Sequence, residues 1–208
     1  GTMFMHHARF GALKRLFDDE LFWNCTRFTS AFTFYGGEDF FRTNIRAKAD
    51  GDPLGCLGDV GWYCARMALC AFRMAEPVAV STRLRDASAE GVPFDADIDV
   101  EFSHDTIATF HCSFKHHFRQ WFEAYSSSSG KGGSARILRC FDFVIPTREE
   151  LCTYEIEEVP NEQTIEYDTI VMNTKHTIPV LNCSQEKEMW DAFAALCSNK
   201  HEPTRACF

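Results

Sequence analysis

Apolar and polar positions divide the 208-residue chain into a helical opening, a long run of alternating segments and a helical close. From Phe10 to Leu21 apolar side chains recur at Phe10, Leu13, Leu16, Phe17 and Leu21 with Lys and Arg between them, the spacing of one helix face. Before it, Gly1 to Arg9 alternates small and apolar residues and predicts a short strand. Asn24 to Tyr35 sets Phe28, Ser30, Phe32 and Phe34 against Thr29, Ala31 and Thr33, a strand with one aromatic face that Gly36 and Gly37 end. Glu38 to Pro53 is polar and irregular. It reads as a long loop, and loops of that length in compact domains are more often functional than idle.

Gly55 and Gly58 loosen the backbone before Asp59, which is predicted to cap a helix over Val60 to Phe72; Glu76 and Pro77 stop it. Strand patterns then follow one another. Val78 to Leu84, Ala96 to Phe102, Thr106 to Phe114, His117 to Tyr125 and Ala135 to Ile145 all alternate β-branched or aromatic residues with polar ones, separated by polar turns. This is the spacing of an antiparallel sheet. Between Pro146 and Pro179 the pattern weakens, and Asp168 to Met172 is its clearest strand-like piece. At the end Asn182 or Ser184 caps a helix whose apolar stripe, Met189, Trp190, Phe193, Leu196 and Cys197, is predicted to pack on the sheet.

Composition narrows the reading. With 45% hydrophobic and 25% charged residues the chain fits one folded domain with a substantial core. Its 20 Phe favour sheets and predict an apolar surface open to a partner. A net charge of −9 repels phosphate backbones, so no nucleic acid is expected as partner. Arg66 and Arg73 interrupt the most hydrophobic stretch, so no transmembrane segment is expected. The ten cysteines show no CxxC pair and sit in apolar patterns, which points to a reducing intracellular compartment, cytoplasm or organelle interior. Because the chain starts at Gly1 without a leader, an upstream segment is expected to have been removed.

Helical spacing places Asp59, Tyr63 and Arg66 at i, i+4 and i+7, so that a carboxylate, a phenol and a guanidinium converge for proton transfer. The same spacing also fits a simple cap and a core tyrosine. His111 with Cys112, and His116 with His117, invite a metal reading. Neighbours on a strand face opposite ways, however, so at most one residue of each pair can join a ligand sphere, and no metal site is expected. Gly130 to Ser134 lacks phosphate-loop spacing and reads as a hairpin turn.

Gly1 to Arg9, Glu38 to Phe40, Ile45 with Arg46, and Leu57 to Cys64 together resemble the Gfo/Idh/MocA oxidoreductases, in particular the branch of the dimeric dihydrodiol dehydrogenases. The likeness runs on through Gly130 to Pro146 to the final helix. It implies an α+β fold: a largely antiparallel open β-sheet with helices on one face, residues 1–208 forming a single C-terminal substrate-binding and dimerisation domain. It implies that Tyr63 is the general acid/base toward a carbonyl or hydroxyl of a sugar- or diol-like substrate, that Asp59 orients it, and that Arg9, His6 and Arg46 line the pocket. A phenol needs a cationic neighbour for this work near neutral pH, because its ordinary pKa is about 10. In the family that neighbour is a lysine of a Glu-Lys-Pro motif. This motif and the glycine-rich dinucleotide fingerprint precede the matching segment, and neither occurs in the chain, so NAD or NADP is expected only with a missing N-terminal domain and no cofactor for this chain alone. The alternative is a non-catalytic structural subunit derived from such an enzyme. In either case the open sheet face is expected to pair a homodimer or dock in a larger assembly.

Overall fold

The computed structural model describes residues 3–20, 23–103, 105–127, 135–148, 151–159, 174–181 and 184–198. Eight strands form one sheet: β1 (Cys25–Tyr35), β2 (Ala79–Ala87), β3 (Pro93–Glu101), β4 (Ile107–Ser113), β5 (Lys115–Ser126), β6 (Ala135–Cys140), β7 (Leu151–Val159) and β8 (Thr174–Leu181). Their order is β2-β3-β4-β1-β5-β6-β7-β8. Only β1 and β4 run parallel; every other neighbouring pair is antiparallel. The sheet is therefore open and largely antiparallel, as the alternating patterns require.

Register decides which side chains share a face. Phe28 lies opposite both Ala108 and Ala124, Ser30 opposite Phe110 and Phe122, and Ala124 opposite Leu138. These residues form the buried face, with Phe28, Ala108, Phe122, Ala124 and Leu138 wholly removed from solvent. Helices α1 (Ala8–Asp18) and α3 (Trp62–Ala71) cover it. The fit is close where Ser30 Oγ donates to Cys64 Sγ at 3.3 Å. Gly61 is needed there too, since a Cβ on it would lie 3.2 Å from Cys112 Sγ. Each phenylalanine buried in this layer contributes about 1.5–3 kcal/mol through area removed from water.

The phenylalanines do not form the exposed apolar surface that their number predicts. Among the described residues most are buried or packed against the core, and only Phe118, Phe141 and Phe193 are exposed. The uncovered face of the sheet instead carries Thr29, Asp97, His111, Trp121, Glu123 and Arg139. Arg139 Nε bonds Glu123 at 2.8 Å and its Nη1 pairs with Glu157; Arg85 pairs with Asp97 at 2.6 Å.

Other expectations change as well. Met3–His6 is a 3-10 turn leading into α1 and not a strand, because Phe4 turns inward and packs against Phe10, Tyr63 and Phe143 at centroid distances of 5.5, 5.6 and 5.9 Å. The expected loop after Gly37 holds α2 (Gly37–Thr43) and a 3-10 turn, Ile45–Ala47. Phe40 packs on Phe34 and Phe114 and Phe41 on Phe94, which gives this helix an apolar footing. Asp59 is not a cap. Helical hydrogen bonding starts from the Leu54 carbonyl, and Asp52 holds the turn before it, its Oδ1 accepting from Leu54 N at 3.1 Å. Gly55 takes a φ of +48°, and a Cβ there would strike the Pro93 carbonyl. The last helix, α4 (Gln185–Ser198), does not bury its stripe: Trp190, Phe193 and Leu196 are each more than half exposed, and Gln185 is the helix's buried residue. Asn182, Gly130 to Ser134 and Asp168 to Met172 lie outside the described residues.

Candidate functional site

Between Gly55 and α3 the helix widens into a π-turn, Leu57–Gly61, which holds Asp59. Single π-turns of this kind are frequent at functional sites. The added residue turns Asp59 by about 100° around the axis relative to Arg66, since an α-helix has 3.6 residues per turn. Arg66 therefore does not complete the expected trio. It acts on Cys70, whose thiol burial pushes up to about 11 against the pull of Lys14 and Arg66. Arg46, from the 3-10 turn Ile45–Ala47, takes the place beside Asp59, its Nε 2.8 Å from Asp59 Oδ1. Asn44 holds that turn by accepting from Arg46 N at 3.0 Å.

Tyr63, the second residue of α3, is half-buried with its ring against Phe4 and Phe32 at 5.6 and 5.5 Å. Burial and the Asp59 charge push its phenol above the ordinary value, and Arg46 pulls it part of the way back. At neutral pH it is a protonated phenol: a hydrogen-bond donor beside an ion pair.

The other predicted residues are not gathered with these three. Arg9 is 2% exposed and holds the fold together, with Nη1 2.6 Å from Asp142 Oδ1, Nη2 2.6 Å from the Asp142 carbonyl, and a 3.3 Å bond to the Thr153 carbonyl. This ties α1 to the segment joining β6 and β7, and a guanidinium so enclosed is not presented to a pocket. His6 is exposed at the end of the 3-10 turn Met3–His6, two residues after the Phe4 that packs on Tyr63, so it borders the region without a described bond to Tyr63. His7 is buried: Nδ1 accepts from Arg9 N at 2.9 Å to cap α1, and Nε2 lies 3.2 Å from Cys152 Sγ.

A second constellation on the uncovered sheet face brings His111 and His116, whose metal reading the sequence set aside, together with Asp95 and Asp97. Asp95 brings its two carboxylate oxygens to 3.2 Å from His111 Nε2 and 3.1 Å from His116 Nε2. His111 Nδ1 meets Asp97 Oδ1 at 2.9 Å. Burial raises the Asp97 carboxyl, but the bonds from His111 and Arg85 outweigh it and hold the group below the usual carboxylate range. Beside this cluster runs an open trough of about 580 Å³ lined by Thr29, Arg83, Asp97, Thr109, His111 and Trp121. It lies across the sheet from Tyr63. The signal in the sequence was one histidine from each adjacent pair; the missing partner, Asp95, stands 16 residues before His111, on another strand.

Comparison with solved structures places this architecture among known oxidoreductases. A 3-ketoreductase from Actinomadura kijaniata, in complex with NADP and TDP-benzene, superposes with a TM-score of 0.70 at 17% identity over 98% of this chain and 55% of its own. An aldose-aldose oxidoreductase from Caulobacter crescentus complexed with glycerol gives 0.71 at 13% identity over 98% and 54%. For an inositol dehydrogenase homolog from Azotobacter vinelandii complexed with NAD+ the values are 0.62 and 10%, over 85% and 42%. The chain thus spans about half the length of these structures, and at such identities the likeness is one of fold. The family model described as GFO/IDH/MocA C-terminal domain matches residues 10–130, more than half of the chain, and the chain belongs to the Gfo/Idh/MocA oxidoreductase family as an example of that C-terminal domain.

Proposed function

We propose that the chain is the substrate-binding and subunit-pairing half of an NAD(P)-dependent oxidoreductase acting on a carbonyl or hydroxyl of a sugar- or diol-like substrate, inactive without a dinucleotide-binding domain. The Arg46–Asp59 pair held beside the half-buried Tyr63 carries this reading. A protonated phenol in that position donates a hydrogen bond, and then a proton, to a substrate oxygen that gains charge as hydride arrives. Asp59 and the half-exposed Arg46 orient the substrate's neighbouring hydroxyls.

The chain's own residues do not fit the dinucleotide. β1 does pass through Gly36 into α2, but Glu38 and Asp39 occupy that helix's first turn and repel a pyrophosphate. Nicotinamide chemistry therefore belongs to another domain. The uncovered sheet face supports pairing with a second copy, with Trp121 as its aromatic anchor among charged ladders.

One observation favours the alternative, a structural subunit that has lost catalysis. Arg46, the cation acting on Tyr63, is itself paired with Asp59, and its pull is smaller than the push of burial and Asp59. Intact mass and nucleotide titration of the natural protein separate the two. For the enzyme, the protein carries a further domain, quenches NADH or NADPH fluorescence, and loses roughly 10²–10⁴-fold in kcat as Tyr63→Phe while still binding nucleotide. A natural protein of this length that binds neither nucleotide overturns the enzymatic reading.

A further inference from the structure

We propose that Asp95, His111 and His116 bind a divalent transition-metal ion, Zn2+ being the ion their donor set fits. Asp95 and Asp97 share the uncovered face of β3, and the sheet register sets Asp97 opposite His111 on β4. The chain then turns at Phe114 into β5, whose second residue is His116, and a shift in the pairing of β5 with β1 at this end brings His116 toward Asp95. The three ligand atoms lie within 4.8 Å of one another.

Two buried polar atoms that face each other without a hydrogen bond call for a cation. Asp97 is clamped by Arg85, with Nε at 2.7 Å and Nη2 at 2.6 Å from Oδ2, so it is ionised and only accepts. The 2.9 Å contact from His111 Nδ1 to Asp97 Oδ1 therefore carries the proton on Nδ1. In the neutral ring Nε2 then directs a lone pair toward Asp95 Oδ1, 3.2 Å away. Both atoms are buried, and neither has a hydrogen-bond partner. Two facing lone pairs repel, and a shared positive charge removes the repulsion. A tetrahedral ion with bonds of about 2.0–2.1 Å holds its ligand atoms about 3.3 Å apart. The 3.2 Å edge from Asp95 Oδ1 to His111 Nε2 already matches; the exposed His116 ring, now 3.1 Å from the other oxygen, Oδ2, has to swing inward.

Asp97 and His111 also form the carboxylate–histidine arrangement that orients a metal-bound imidazole and raises its basicity. Two imidazoles and one carboxylate suit Zn2+, and three protein ligands leave a fourth position for water. The ion would tie β3 to the corner between β4 and β5. The competing explanation is a proton on Nε2, which makes His111 an imidazolium between two aspartates.

Calorimetric titration of the chelator-treated protein with ZnCl2 decides between them. The expected result is one ion per chain and a higher melting temperature with Zn2+. His116→Ala, at an exposed position, weakens binding at least tenfold, and Asp97→Asn weakens it about 10–100-fold as an outer partner. His117→Ala leaves it unchanged. No saturable binding at one ion per chain, or equal affinity in the His116→Ala and His117→Ala proteins, overturns the proposal. Should His116→Ala fail to fold, loss of Zn2+ binding in His116→Gln, judged folded by circular dichroism, serves the same end.

Discussion

The two faces of the sheet solve different problems with the same strands. On the covered face Phe28, Phe122, Leu138 and Cys112 are fully buried or nearly so and make no ionic contact. On the other, Glu123, Arg139 and Glu157 form a cross-strand ladder of charges over β5 to β7, and Arg85 and Asp97 form a separate pair on β2 and β3. Strand alternation makes the division possible, because each step of one residue exchanges faces. The covered face holds the fold; the charged one takes no part in the core.

If so, truncation should cost far more on one face than on the other. Phe122→Ala removes a ring in contact with Phe28 at 5.5 Å and Phe143 at 5.6 Å and should lower stability by about 3–5 kcal/mol. Its neighbour on the other face, as Glu123→Ala, should cost about 1 kcal/mol or less. Urea unfolding of both measures the contrast, and equal losses would erase it. Arg9→Ala tests a charge placed on the covered side. It should cost on the order of 3 kcal/mol, toward the low end for a broken buried pair because Asp142 keeps 21% of its surface in solvent.

Thiol chemistry sharpens the comparison without mutation. Burial pushes Cys25 and Cys64 up to about 12 and Cys140 up to about 11, and the neighbouring Cys56 thiol together with burial raises Cys112. A thiol held protonated in the core does not react. With iodoacetamide at pH 8 followed by peptide mapping, Cys197 should label in the folded protein, and Cys25, Cys64, Cys112 and Cys140 only after unfolding. The smallest expected effect lies at Tyr63. Its phenol should ionise above pH 10; Asp59→Asn removes a charge that raises it and frees Arg46, so the midpoint falls, whereas Arg46→Ala moves it further up. Carbon-13 NMR of labelled tyrosine reads both shifts, and an unchanged midpoint in Asp59→Asn would show that the carboxylate does not act on the phenol.

Period-two alternation made β1 through β6 legible, although β2 is exposed along most of its length and the others each bury one face. β7 was not. Its Glu155, Glu157 and Glu158 resemble a solvated loop until Arg139 and Arg136 on β6 are placed opposite them, and that pairing is tertiary. Gly1 to Arg9 misled for a related reason: over so few residues an alternating pattern also fits a turn with one inward phenylalanine. At the candidate site Asp59 and Tyr63 were legible by helical spacing, but the π-turn that sets Asp59 apart from Arg66 leaves no periodic signature. The family resemblance supplied Arg46, which the structure brings to Asp59, and also Arg9, which it buries against Asp142. The stripe on α4 showed the opposite limit, since periodicity reveals an apolar face but not whether anything covers it.

A π-turn is an α-helix with one residue too many, and this one separates two parts of the same rod. Downstream, Cys64, Met67, Ala68 and Ala71 key α3 into the core; upstream, Asp59 looks outward. Deleting Gly58 is expected to let the helix close into regular α form and swing Asp59 by about 100°, away from Arg46. A single residue at this joint thus acts as a dial that sets which way one carboxylate is aimed.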